Sequence, residues 1–191
     1  MEKENQVQTT DNNSLTLRRH YETQLREAKE YNSIEQVVKT TLMMENKSIR
    51  VGEIIRNGGK DLILLHVTDA IANFVIMLPP QRGVSTEAVI QISKAFTELH
   101  ELKHLSIDEL KTFLSLALKK MKFGKLYAGF GYDTLIEWFN AYFEERTEEV
   151  IRFRQEQHSN NSANEKTRRE RSDGGAFGTD VLNILKNKGN E

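Results

Sequence analysis

His100, Glu101 and His104 stand in the order His-Glu-Leu-Lys-His, a letter-for-letter match to H-E-x-x-H. On one helix the two imidazoles face the same way and could hold zinc, with Glu101 as the general base of a hydrolase. The surroundings argue against that chemistry. Glu98 and Lys103 put charge beside the ligands, and the helix must end near His104 because Ser106 opens the next one. The other histidines, His20, His66 and His158, offer no evident third ligand. Two solvated histidines in a helix-terminal turn, where positive charge complements the dipole, fit better. His100 and His104 are therefore decoys for a metal site, and neither metal nor cofactor is expected.

A second constellation suits binding rather than catalysis. Lys119, Lys120, Lys122 and Lys125 fall within seven residues, close to Phe123, Tyr127, Phe130 and Tyr132. Ammonium groups can neutralise phosphates while aromatic faces stack on bases. The plainer reading sets the lysines against a helix C-terminus and the aromatics in the core. Arg146 lies four residues after Tyr142 on an apolar stripe, so it must be partly buried and paired, with Asp108, Glu109 or Asp133 as the carboxylate. It reads as a strut between helices, with Tyr142 beside it and Trp138 one turn away, an edge open to solvent. Near the C-terminus Val181, Leu182, Ile184 and Leu185 form an apolar cluster after a mixed-charge linker, a pattern that can fold into a partner's groove or be a frayed end.

Nucleotide and serine hydrolysis have no motif to rest on. Gly58-Gly59-Lys60-Asp61 lacks phosphate-loop spacing, and no G-x-S-x-G is present. The 191 residues carry a net charge of −1, so nucleic-acid binding would need a local patch. With no cysteine there are no disulfides, thiolate zinc sites or cysteine nucleophiles, which fits a cytoplasmic chain. The first 13 residues lack the apolar core of a signal peptide. Residues 61–78 are rich in Leu, Ile and Val, yet they hold Asp61, His66, Asp69 and Asn73 and end at Pro79-Pro80. A membrane span tolerates such groups poorly, so a central core helix, apolar nearly all round, is expected instead.

The elements that must position these groups are helices. Only two prolines occur, and they are adjacent. Leu17, Tyr21, Leu25 and Ala28 recur at helical spacing over 14–32. Ser33 with Gln36 and Ser106 with Glu109 are capping-box patterns, and Ser85 or Thr86 can open a further helix. Ile107, Leu110, Phe113, Leu114, Ala117, Leu118 and Met121 share one face of a helix that Gly124 ends. Asp133 or Thr134 caps the last long helix, whose stripe is Leu135, Phe139, Tyr142, Val150 and Phe153. The expectation is an all-α fold, a single domain of about six helices over 14–158. Residues 1–13 form a disordered N-terminus, 159–177 a disordered linker, and 178–191 a short apolar tail.

The pattern Leu105-Ser-Ile-Asp-Glu-Leu-Lys111, then Lys122-Phe-Gly-Lys-Leu-Tyr127, then Leu135-Ile-Glu-Trp-Phe-Asn-Ala-Tyr142 through Glu145-Arg146 resembles an uncharacterised helical family of phages and mobile elements of Bacteroidetes-type bacteria. The resemblance runs from about Ile54 to His158, and its core is a lysine–aromatic–Gly turn before a helix ending Tyr-x-x-Glu-Arg. Ala128-Gly-Phe-Gly-Tyr132 departs from the usual form in being richer in glycine. Some such proteins look distantly like accessory factors of phage DNA replication, such as helicase loaders. The resemblance implies no activity of its own; the expectation is a non-enzymatic, replication-associated accessory or adaptor of a phage or mobile element, in which the lysine turn meets nucleic acid or an acidic protein face and the Val181–Leu185 cluster meets a protein partner. The alternatives are a pure interaction, structural or inhibitor protein, and a zinc-dependent hydrolase. No membrane partner is expected.

Overall fold

The structure is a computed structural model that describes residues 2–43, 49–126 and 129–187, with side chains over 15–43, 49–126 and 129–162. The chain divides into two units, residues 1–149 and 150–191. The fold is all-α. The described residues form seven α-helices and no strand, with a single antiparallel bridge between Arg50 and Ser106. None of these helices is long and apolar enough to cross a membrane.

The first helix, α1 (Glu2–Glu27), turns Tyr21 and Leu25 into the core but leaves Leu17 exposed. Next, α2 (Ile34–Met43) begins behind Ser33, whose hydroxyl accepts the Gln36 N–H at 3.2 Å, and buries Ile34, Val37 and Val38. The apolar turn around Ile54 is itself a short helix, α3 (Val51–Arg56), which raises the count to seven. Gly58 takes φ +83, a left-handed conformation that reverses the chain into α4 (Lys60–Ile76). The Asn57 side chain spans this reversal and donates to the Tyr21 hydroxyl at 2.6 Å.

In α4, Leu62, Ile63, Val67, Ile71 and Phe74 are buried, while Leu65 and Ile76 stand in solvent. This corrects the expectation of a core helix surrounded on all sides. Asp61, Asp69 and Asn73 are exposed, and keeping them hydrated holds one flank of the helix at the surface. Pro80–Arg82 then form a 3-10 turn, and α5 (Thr86–Thr97) starts where the Ser85 hydroxyl accepts the Ala88 N–H at 3.2 Å. It stops seven residues short of His104. Residues Glu101–His104 make a separate 3-10 turn, because Leu102 and Leu105 must both reach the core.

The capping box forms in full at α6 (Ile107–Leu114). Glu109 N–H donates to Ser106 Oγ at 3.1 Å, and Ser106 N–H donates to Glu109 Oε2 at 2.7 Å. The helix does not run on to Gly124. It widens into a π-helical turn at Ser115–Lys119 and closes at Met121, a non-glycine residue with φ 49. The Lys122 N–H reaches back to the Leu116 carbonyl at 3.0 Å and satisfies that end. Gly124 has another role: a Cβ there would lie 2.9 Å from Trp138 Nε1.

The last helix, α7, spans Tyr132–Asn187. In the first unit its residues Phe139 and Tyr142 join Phe96 and Phe113 in an aromatic core, with ring centroids 5.1 to 5.7 Å apart. Trp138 is 3% exposed, packed with Phe74 and Phe130, so the expected solvent edge is absent. The glycine at 124 lets the chain lie directly on the indole and seal it. The second unit continues α7 and includes an Arg152–Glu156 pair at 3.9 Å, one turn apart.

Helical backbone also covers residues 2–13 and 159–187, stretches whose polar composition suggests disorder. Both lack proline and carry Glu and Lys, with Gln in the first and Arg in the second, residues with good intrinsic helix propensity. Val181, Leu182, Ile184 and Leu185 lie on this backbone, and their side chains fall outside the described ones.

Candidate functional site

The face of α6 and its π turn carries Asp108, Lys111, Thr112, Ser115 and Lys119, and all five grip the segment joining α1 to α2. Lys111 Nζ donates to the Ala28 carbonyl at 2.6 Å. The Lys29 N–H donates to Asp108 Oδ1 at 2.8 Å, and the Tyr31 N–H to Thr112 Oγ1 at 3.2 Å. Glu30 accepts from the Ser115 hydroxyl and from Lys119 Nζ, the latter at 2.8 Å. These two donors hold the Glu30 carboxyl below the usual glutamate range, Lys119 foremost. A non-helical segment has backbone groups to satisfy, and here side chains 79 to 83 positions away satisfy them.

The lysine cluster is committed to this framework. Lys119 pairs with Glu30, Lys120 Nζ donates to Asn32 Oδ1 at 2.9 Å, and Lys122 pairs with Glu145. Lys125 is exposed and forms no ion pair with another described residue. Tyr127 lies outside the described residues. Phe130 and Trp138 face the core, and Phe123 is half-buried against Phe113 and Tyr142. Of the aromatics beside the lysines, Phe130 is thus turned inward, while Tyr132 stays 38% exposed.

Among the three carboxylates open to Arg146, the structure selects Glu109. Arg146 Nε lies 2.6 Å from Glu109 Oε1, with the arginine side chain 19% exposed and the glutamate 2%. Tyr142 donates its hydroxyl to the Glu109 carbonyl at 3.2 Å. Burial, reinforced by the Glu109 charge, pushes the Tyr142 phenol well above its ordinary value, so it remains a donor. Arg146, Tyr142 and Glu109 thus join the start of α6 to α7.

Two cavities flank the framework, of about 190 and about 530 Å³, sharing His66, Asp69 and Lys111 in their walls. The smaller holds Phe74, Leu114 and Leu118 at its apolar side and Glu30 and Lys119 at its polar side. Burial and the Lys111 ammonium hold the His66 imidazole below its ordinary value, with Asp69 pulling weakly upward. His66 is therefore neutral at pH 7. Among the described residues that line the smaller cavity, Ser115 carries the hydroxyl; it is 2% exposed and donates to Glu30. Such a lining can recognise a side chain, being smaller than the roughly 300 Å³ from which small-molecule sites start.

Sequence reasoning did not find His66, Asp69 and Asn73 as a group. A signal was available: they recur at spacings of three and four, a polar stripe in an otherwise apolar helix. Apolar exposure lies beside it. Leu65 is 67% exposed, Ile76 80% and Met77 67%. Leu65 and Ile76, eleven positions apart, fall within roughly 20° of each other around α4.

His100 and His104 are both exposed, at the edges of the 3-10 turn rather than on an α-helix. Their ring centroids are 4.9 Å apart. Among the described residues no group of three or more His, Asp and Glu side chains could hold a metal ion.

Comparison with known proteins finds no matching family model, no matching curated protein and no matching solved structure.

Proposed function

We propose that the protein is a non-enzymatic helical adaptor that takes a protein partner on the outer face of α4. The observation that carries this reading is the aligned exposure of Leu65 and Ile76, with Leu65 in the wall of the larger cavity and Met77 in that of the smaller. Large apolar groups in register on one helix face are the anchors by which helices meet partners. The polar stripe of His66, Asp69 and Asn73 next to them supplies the rim. The resemblance of the 105–146 pattern to phage and mobile-element proteins supports a partner drawn from DNA replication. Direct nucleic-acid contact has less support, because Lys119, Lys120 and Lys122 are engaged within the fold.

A photo-crosslinking residue placed at position 76, and separately at position 125, tests the reading in the native host. The expected result is a discrete protein adduct from position 76, lost when Leu65→Glu is added. Absence of any adduct at 76, or an adduct insensitive to Leu65→Glu, would remove the α4 face from consideration. A nucleic-acid adduct from position 125 would favour the lysine turn instead. An adduct at 76 with a protein unconnected to replication would leave a pure interaction protein as the function.

A further inference from the structure

We infer that the outer face of α4 pairs with the same face of a second copy of this chain, the two helices running antiparallel about a two-fold axis. This rests on the reading of α4 as a docking face and names its occupant. Leu65 and Ile76 stand in line on that face, with Ala72 and Asp69 within roughly 40° of Leu65 around the helix and Asn73 on the same flank as Asp69. An isologous contact brings one patch against itself, so the patch must satisfy its own apolar and polar groups when turned end for end. Setting Leu65 of each copy beside Ile76 of the other covers two large apolar side chains that are otherwise 67% and 80% exposed. In that register Asp69 falls within one residue's rise, about 1.5 Å along the axis, of Asn73 in the second copy, on a shared flank.

The polar groups at that level are matched in kind. Asp69 and Asn73 are exposed, and neither makes a hydrogen bond or ion pair with another described residue. The Asn73 amide N–H of one copy can donate to the Asp69 carboxylate of the other, and the two-fold axis forms this bond twice. Ala72 lies close to the axis, where a methyl side chain lets two helices approach at the short end of the usual separation of about 8–10 Å. The N-terminal end of the face brings no unpaired charge, because Arg18 Nη2 lies 2.7 Å from Asp61 Oδ2 and Lys60 pairs with Glu98. An unrelated partner would have to supply matching anchors and hydrogen-bonding groups of its own. One α4 face already carries both sets, placed to serve a copy of itself.

The full-length chain should sediment as a dimer in analytical ultracentrifugation, and Leu65→Glu should sediment as a monomer with an unaltered circular dichroism spectrum. Asn73→Asp sets two carboxylates together at each polar contact and should weaken the dimer by roughly fivefold per contact. Adding Asp69→Asn to that variant restores one carboxylate and one amide per contact, so the affinity should return. The sequence has no cysteine, so introduced thiols report the register without background. A mixture of Leu65→Cys and Ile76→Cys chains should be joined by a short bifunctional thiol reagent. Either variant alone should not, because its like positions lie roughly 16 Å apart along the axis. A monomeric chain, a dimer that survives Leu65→Glu, or crosslinking of either variant alone would overturn the pairing. A monomer that nonetheless gives an adduct with a different protein from position 76 would overturn the second copy as occupant and leave the adaptor reading standing. No adduct of any kind from position 76 would remove both.

Discussion

Replacing Arg146 with methionine should lower the unfolding free energy by about 3 kcal/mol. Methionine keeps an unbranched apolar stem but removes the guanidinium that lies 2.6 Å from Glu109 Oε1. Glu109 is 2% exposed, so the change leaves a carboxylate in the interior without its counter-charge. Breaking a buried pair from one side costs roughly 3–5 kcal/mol. Two features place this case at the low end. The Arg146 side chain is 19% exposed, so water can reach the vacated position. Glu109 also retains the Ser106 N–H on its other oxygen, at 2.7 Å. With a urea m-value of about 2 kcal/mol/M, the unfolding midpoint should fall by about 1.5 M. The thermal midpoint should fall by about 6–12 °C. A Glu109→Gln background removes the stranded charge, so Arg146→Met should cost less there. A loss below about 1 kcal/mol, the scale of an exposed pair, would refute the view of Arg146 as a buried strut.

Gly124→Ala should destabilise the fold by about 1–3 kcal/mol, because its Cβ meets Trp138 Nε1 at 2.9 Å in a packed core. Trp138 is the only tryptophan, so a red shift of its emission reports the displacement, and an unchanged spectrum and midpoint would count against the contact. The double change Lys122→Ala with Lys125→Ala should leave any single-stranded DNA affinity and its salt slope unchanged, and a slope reduced by about 1.4 would restore the lysine turn as a phosphate-binding site. Stability should also depend on His66. Its folded value is depressed, so unfolding takes up a proton below about pH 6.5, and stability present above that pH is lost as pH falls toward the folded value. The urea midpoint of the wild type should therefore drop more steeply from about pH 7 to pH 5 than that of His66→Gln, and parallel curves would exclude this assignment.

Much of the framework is legible in the sequence because it is local. Ser33, Ser85 and Ser106 announce helix starts through bonds to residues three positions on, and all three bonds form. The helical stripe of Ile107, Leu110 and Phe113 is equally local and is buried. What escaped depends on distant parts of the chain. The spacing that led to Arg146 could not choose among three carboxylates, since the choice follows from how α6 and α7 pack. The burial of Trp138 depends on Gly124, fourteen positions away, whose sequence context reads as a simple helix stop. The π turn has no signature of its own, because its donors and acceptors are backbone groups. The flank of α4 was misjudged because summed hydrophobicity hides a stripe of three polar positions.

The grip of α6 on residues 28–32 distributes tolerance to substitution unevenly. Three of its bonds, at Ala28, Lys29 and Tyr31, go to main-chain groups that every residue except proline carries in full. Lys29 and Tyr31 can therefore be exchanged for most other amino acids without losing a bond. Asp108, Lys111 and Thr112 cannot, because each contributes the side-chain atom that closes one. A saturation scan of this region should thus find positions 29 and 31 permissive against an intolerant helix, with the information for the crossing written some 80 positions downstream of the crossing itself.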